Sequence, residues 1–232
     1  MIDIHTHLLY GVDDGVKTLE ESVKVLAAME ASGVETVFLT PHVARKRGFY
    51  QLKLFKTRFK EIQNAIKKEN LKINIVLGSE IDDSKALLDD IEVAPSMNGT
   101  NVYMVDFGMK RTNIEEIVYE CSVRGIHIIV AHPERYYYAD LEMLKEVKKA
   151  GGLLQVSAPH LLKMGNKKAQ KLARKLLKED MIDFIGSDTH RLTNDLSVME
   201  KAYRYVAKKK GDECAYKLFY MNAKALMCEY HE

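Results

Sequence analysis

Seven short apolar, β-branched runs alternate strictly with longer amphipathic ones along the 232-residue chain, and few folds accept that order. The runs at 2–7 (IDIHTH), 35–40 (ETVFLT), 73–79 (INIVLGS), 101–107 (NVYMVDF), 126–131 (IHIIVA), 153–157 (LLQVS) and 182–186 (IDFIG) read as strands. Helical patterns fall near 19–32, 51–69, 84–91, 113–124, 140–150, 166–179 and 196–209, with more helix in 212–228. Thr18-Leu19-Glu20-Glu21 and Thr112-Asn113-Ile114-Glu115 fit the capping box, and Gly33, Gly125 and Gly151 follow helical runs where a left-handed residue ends the helix. Such alternation predicts an α/β fold, a parallel sheet with helices outside it. No glycine-rich phosphate loop follows the first strand, which favours a closed seven-unit relative of the eightfold barrel over an open doubly wound sheet. No linker or composition break divides residues 1–232, so one domain is expected.

Parallel α/β folds carry their chemistry at the carboxyl ends of the strands. The first strand ends in His5 and His7, with Asp13-Asp14-Gly15 beyond; Pro41-His42 follows the second and Glu80 the third. Asp106 closes the fourth, His132-Pro133-Glu134-Arg135 the fifth, His160 follows the sixth, and Ser187-Asp188-Thr189-His190 the seventh. Six of the eight histidines therefore gather at one predicted rim; only His127 and His231 do not. Alternate strand residues point to the same side, roughly 6–7 Å apart, so His5 and His7 form a chelate for one cation. Imidazole and carboxylate without thiolate suit manganese, iron or zinc. Nine candidates (His5, His7, Asp14, His42, Glu80, Asp106, His132, Asp188 and His190) exceed what one ion needs and imply two or three, as in sites that clamp a phosphoryl group.

These residues lie in motifs that resemble a known family. IDIHTH with VDDG, TPH at 40–42, GSEI at 78–81, the acidic end of VYMVDF, AHPERY at 131–136 and SDTH at 187–190 occur in order over nearly the whole chain. They resemble the PHP (polymerase and histidinol phosphatase) superfamily, and within it the bacterial manganese-dependent protein-tyrosine phosphatases of capsule and exopolysaccharide operons. The resemblance implies a single PHP domain, a distorted (β/α)7 TIM-like barrel and three divalent ions, manganese first, with iron, zinc or magnesium as alternatives. His5, His7, Glu80 and Asp188 would hold one ion, Glu80, Asp106 and His132 a second, and Asp14, His42 and His190 a third. Arg135 would grip phosphate, a metal-bridging hydroxide would attack, and Asp14 or His190 would deliver a proton. The implied substrate is a phosphotyrosine protein, a tyrosine autokinase of polysaccharide export by family habit. Two departures stand out: Asp106 replaces the family's usual glutamate, and the second arginine expected after SDxH is missing. Asp195 or a neighbour occupies its place, and Arg191 is the candidate substitute.

Other classes fare worse. A net charge of +2 announces no nucleic acid, which weighs against a phosphodiesterase. No run nears the roughly 18 apolar residues of a membrane span, and no basic-then-apolar leader opens the sequence, so no membrane insertion and a cytoplasmic location are expected. Cys121, Cys214 and Cys228 read as helical core filler. The cysteine-based phosphatase mechanism needs an arginine six residues after its cysteine. His127 and Tyr220 stand there instead, and the chain ends before that position after Cys228. The rivals left are a histidinol-phosphate or sugar-phosphate phosphatase and a non-catalytic PHP-fold binding protein. Asp13 reads as a turn residue, His160 as either pocket lining or a hydrogen-bonded structural histidine, and Tyr137 and Tyr138 as surface packing. The basic, aromatic stretch 44–60 is equally a docking surface or a solvated helix, and 166–178 an outer barrel helix. The oligomeric state stays open.

Overall fold

The computed structural model describes residues 1–43, 48–81, 91 and 94–227, with backbone alone for 48–51. Cys228, His231, residues 44–47 of the basic stretch and all but Ile91 of the helix expected near 84–91 lie outside the described residues. The strands are β1 (Ile2–Thr6), β2 (Thr36–Leu39), β3 (His42–Val43), β4 (Asn74–Leu77), β5 (Glu80–Ile81), β6 (Val102–Val105), β7 (His127–Ala131), β8 (Leu153–Ser157) and β9 (Phe184–Gly186). Every strand pairing is parallel, in the orders β1-β2-β4 and β3-β5-β6-β7-β8-β9.

The nine short strands trace seven paths. β2 and β3 are one path broken at Pro41, which has no N–H for a ladder, and β4 and β5 are the next path. Backbone bonds Gly78 N to Leu39 O (3.0 Å) and Glu80 N to Pro41 O (3.1 Å) carry the pairing across the break. The ring is completed between the ends of β9 and β1: Thr6 bridges Thr189, His7 N donates to Thr189 O and Asp188 N to His5 O, both at 2.9 Å. Below that point Asp3 fills the seam, its Oδ1 accepting from Ser187 N and His5 N. Burial pushes the Asp3 carboxyl up to about 6, against those hydrogen bonds. This seam and the register shift between Asp3 and Thr6 make the barrel a distorted one.

Alternation along the strands sorts the core into two bodies. Ile2, Ile4, Val102, Met104, Ile129 and Phe184 fill the interior, where Ala223 and Leu226 of the last helical turns join them. The outer faces pack against helices α1 (Leu19–Ala31), α2 (Gly48–Lys68), α3 (Ile114–Val123), α4 (Leu141–Lys149), α5 (Lys167–Lys178) and α6 (Val198–Lys210). The charged stretch at 166–178 is an outer helix that buries Ala169, Ala173, Leu176 and Leu177. In the described part of the basic stretch Phe55 is buried, while Arg58 pairs with Glu61 and lies over the Tyr10 ring; it is an amphipathic helix with a charged outer face. No helix among the described residues is long and apolar enough to cross a membrane.

The capping boxes differ from expectation. Thr18 Oγ1 accepts from Glu21 N as predicted, but Glu21 reaches back to Lys17 N, one residue earlier. The second box does not form: α3 starts after Asn113, whose side chain donates to Glu116, while the Thr112 hydroxyl turns to Lys110 O. Gly33, Gly125 and Gly151 all take positive φ.

Candidate metal centre

His5 on β1 and His7 just beyond its end both turn inward. The Nε2 atoms of buried His5 and His7 face each other at 3.2 Å, and Glu80 Oε2 lies 3.3 and 3.2 Å from them. Asp188 Oδ1 completes the set at 3.6 Å from His5 and 3.4 Å from His7. Glu80 reaches two other strand ends, with Oε1 2.8 Å from His132 Nε2 and Oε2 3.0 Å from His42 Nδ1. Asp14 Oδ1 stands 3.6 Å from His42 Nε2 and 3.5 Å from His190 Nε2.

Three overlapping clusters result, each with donor atoms within 4.8 Å of one another: His5, His7 and Glu80; Glu80, Asp106 and His132; His7, Asp14, His42 and His190. Eight of the nine sequence candidates fall in these clusters, with His7 in two of them, and Asp188 stands beside them at 3.6 Å from His5 and 3.4 Å from His7. Asp106, one methylene shorter than glutamate, still reaches its cluster, and its Oδ1 is steadied by Gly108 N at 2.8 Å.

Electrostatics keeps the central carboxylates of this rim ionised. Burial alone would raise the Glu80 carboxyl, but His5, His132 and His42 hold it well below its ordinary value. Burial likewise opposes ionisation of Asp188, and His5, His7 and His132 outweigh it. His7 is pushed down by burial yet held well above its ordinary value by Asp13, Asp188 and Glu80. His190 moves down, through burial and the neighbouring His7. Glu80 Oε2 tests whether this donor set fits a metal: it is buried and makes no hydrogen bond, although three imidazole nitrogens lie at 3.0–3.3 Å. An unpaired buried carboxylate oxygen is costly, and a shared divalent cation among these lone pairs would remove the cost. The residues fit.

Arg135 lies beside the clusters, half-exposed, its guanidinium donating to Asp188 Oδ2 at 2.8 Å. His132 and Asp188 both adopt positive φ, 32° and 56°, a strained setting for non-glycine residues that recurs at functional sites.

The family model for capsular polysaccharide synthesis proteins CpsB/CapC matches residues 1–228. The chain belongs to the CpsB/CapC family. It is 30% identical over 241 residues to the tyrosine-protein phosphatase CpsB of Streptococcus agalactiae, covering 98% of each chain. It is also 30% identical over 243 residues to CpsB of Streptococcus pneumoniae, covering 99% of each. The fold matches that in the crystal structures of YwqE from Bacillus subtilis and CpsB from Streptococcus pneumoniae, described as metal-dependent tyrosine phosphatases, with a TM-score of 0.87 at 22% identity over 100% of this chain and 97% of that one. That likeness shows that the two chains share this barrel-like α/β fold.

In this CpsB/CapC member, several residues around the donors do more than sequence reasoning assigned. Asp13 is a turn residue, accepting from Gly15 N, but its Oδ2 also accepts from His7 Nδ1 at 2.8 Å and His42 N at 3.1 Å. It therefore turns His7 Nε2 toward the cluster. The local signal was the doubled Asp-Asp before Gly15, read as one ligand and one turn. Buried Tyr136 accepts from Phe107 N (2.9 Å) and donates to Ala131 O (2.8 Å), tying together the strand ends that carry Asp106 and His132. Tyr138 is more than surface packing, since it stacks on Tyr136 and donates to Gly108 O; Tyr137 is exposed as expected. His160 donates from Nδ1 to buried Glu134 at 2.8 Å, the hydrogen-bonded structural role, and stands outside all three clusters. Asp195, at the place of the expected second arginine, is engaged with Ser197 and Lys201, and Arg191 is exposed on the loop held by Asn194. Cys121 and Cys214 are free thiols with no part in the clusters.

Proposed function

We propose that this chain, as a single PHP domain, is a metal-dependent phosphomonoester hydrolase acting on phosphotyrosine in proteins that govern capsular or exopolysaccharide synthesis. The observation that carries the reading is the convergence of five imidazoles and three carboxylates in clusters sharing Glu80 and His7, with Asp188 3.4–3.6 Å from His7 and His5 and one guanidinium beside it. Its family relatives named tyrosine-protein phosphatases support the choice of substrate.

His5, His7, Glu80 and Asp188 would hold one ion, Glu80, Asp106 and His132 a second, and Asp14, His42 and His190 a third; mixed imidazole and carboxylate donors suit manganese, iron or zinc, and the family resemblance puts manganese first. Bound there, divalent ions supply Lewis acidity, lowering the pKa of water and neutralising phosphoryl charge. Arg135 contributes a planar fork that fits two phosphate oxygens, and exchanging its contact with Asp188 for the substrate costs little because it is half-exposed. Asp13 and the backbone oxygen of Asp188 hold His7 and His190 by their Nδ1 atoms, which leaves each Nε2 facing the site. Asp14, exposed to solvent at this edge of the site, is the candidate group for any proton delivered to the leaving oxygen. A tyrosine leaving group needs little protonic help, since its pKa is about 10. The substrate is a tyrosine autokinase of polysaccharide export, met in the cytoplasm.

The test compares a phosphotyrosine peptide with histidinol phosphate as substrates in the presence of Mn2+, alongside the metal content of the purified protein. Preferential hydrolysis of the peptide, with two or more ions bound per chain, is expected. Preference for histidinol phosphate would replace the proposed substrate class, and a metal-free protein inactive with added Mn2+ would end the hydrolase reading.

A further inference from the structure

Gln155 lies on β8 beneath the donor clusters, fully buried. Its Oε1 lies 3.1 Å from His5 Nδ1 and 3.1 Å from the backbone N of His132. Chemistry orients the amide, because a backbone N–H only donates, so the atom facing His132 is the carbonyl oxygen. The same oxygen faces His5, and His5 Nδ1 must therefore carry the hydrogen that it donates. In the neutral ring the lone pair then sits on Nε2, the nitrogen that converges with His7 Nε2 at 3.2 Å and Glu80 Oε2 at 3.3 Å.

Two further features point the same way. Gln155 Nε2 is buried without a hydrogen bond, so the amide is present at a cost that a methionine or leucine of similar size would avoid. Gly186 on β9 leaves room for the arrangement: a Cβ there would stand 2.6 Å from His5 Cβ and 3.0 Å from Gln155 Nε2. On the other side, the bond to His132 N–H anchors a residue held at φ 32°, a backbone conformation that persists only when its surroundings fix it.

We propose that Gln155 is a positioning residue that joins two of the clusters: one oxygen locks His5 in the Nδ1–H tautomer and fastens the backbone of His132. Asp13 serves His7 in a similar way, whereas Gln155 ties His5 of the first cluster to His132 of the second. The inference rests on the metal-binding reading above and adds a residue that coordinates nothing itself. Orienting groups of this kind typically change metal affinity by 10- to 100-fold when removed.

The full chain, stripped with chelator, is titrated calorimetrically with Mn2+ alone. It is also reloaded with diamagnetic Zn2+, and its histidine rings are read by two-bond proton–nitrogen correlation. The parent is expected to show His5 metallated through Nε2 with an exchange-protected Nδ1 proton. Gln155→Met should lose that protected proton and bind Mn2+ about 10- to 100-fold more weakly. Gln155→Glu keeps an acceptor oxygen and should retain both the proton and affinity close to the parent's. Metallation of His5 through Nδ1 in the parent, or parent-like binding and spectrum in Gln155→Met, would overturn the inference and leave the metal-binding reading standing. A parent that binds no Mn2+ would remove both. If Gln155→Met does not fold, the parent spectrum and Gln155→Glu decide: loss of the protected proton in Gln155→Glu counts against the lock, and its retention supports it.

Discussion

Glu80 belongs to two donor clusters at once, and its two oxygens meet four imidazoles from three other strand paths. Replacing it with glutamine keeps the volume but removes a charge that those imidazoles stabilise. Glu80→Gln should therefore lose more than one bound ion per chain, measured by elemental analysis after gel filtration; loss of only one would mean that the clusters do not share it. Arg135 makes a second case. Lysine keeps its charge but not its fork, so Arg135→Lys forfeits a charge-assisted bond of about 1.5–3 kcal/mol, roughly 10- to 100-fold in kcat/KM on a phosphotyrosine peptide. Metal content should not change, since the Arg135 guanidinium donates to Asp188 Oδ2 and lysine keeps the positive charge there.

Among the elements, the turn after β1 and the tyrosine between β6 and β7 decide how the donors are presented. A Cβ on Gly15 would lie 2.0 Å from the carbonyl oxygen of His7, a contact that no rotamer relieves because the neighbour is backbone. Gly15→Ala should shift the turn that carries Asp13 and Asp14 and destabilise the fold by about 1–3 kcal/mol, read from the urea midpoint. Tyr136→Phe removes the acceptor for Phe107 N and should cost about 1–3 kcal/mol, because a buried N–H is left unpaired. The element pattern was legible because β-branched runs and amphipathic runs differ in period, and all seven strand paths occur where that difference places them. The broken paths at Pro41 and Gly78 were not, since two-residue strands have no period. Neither was the failed capping box, because Asn113 competes with Thr112 as the helix cap and no local rule ranks them.

At the scale of the whole molecule, the donors come from positions 5 to 190 and meet only because the ring closes between β9 and β1. The gathering of these nine side chains was legible from strand-end placement, but the contacts of Gln155 and the second role of Asp13 were not. An amide in LLQVS looks like any inward strand residue until His5 and His132 are seen to share its oxygen. Ring closure also links metal binding to global stability. Buried Glu80 and partly buried Asp188 both approach His5 Nε2, and the unfolded chain offers no such arrangement, so ions would bind the folded state in preference. Each site then adds RT ln(1 + [M]/Kd), about 2.7 kcal/mol at a free ion concentration 100 times its Kd. Chelator-treated protein should unfold at lower temperature than the loaded form, and its midpoint should climb steadily with the logarithm of Mn2+ concentration. Glu80→Gln should flatten that climb, whereas Arg135→Lys should follow the parent. A midpoint indifferent to Mn2+ across that range would mean that the donors gathered at this rim hold no ion in the folded protein.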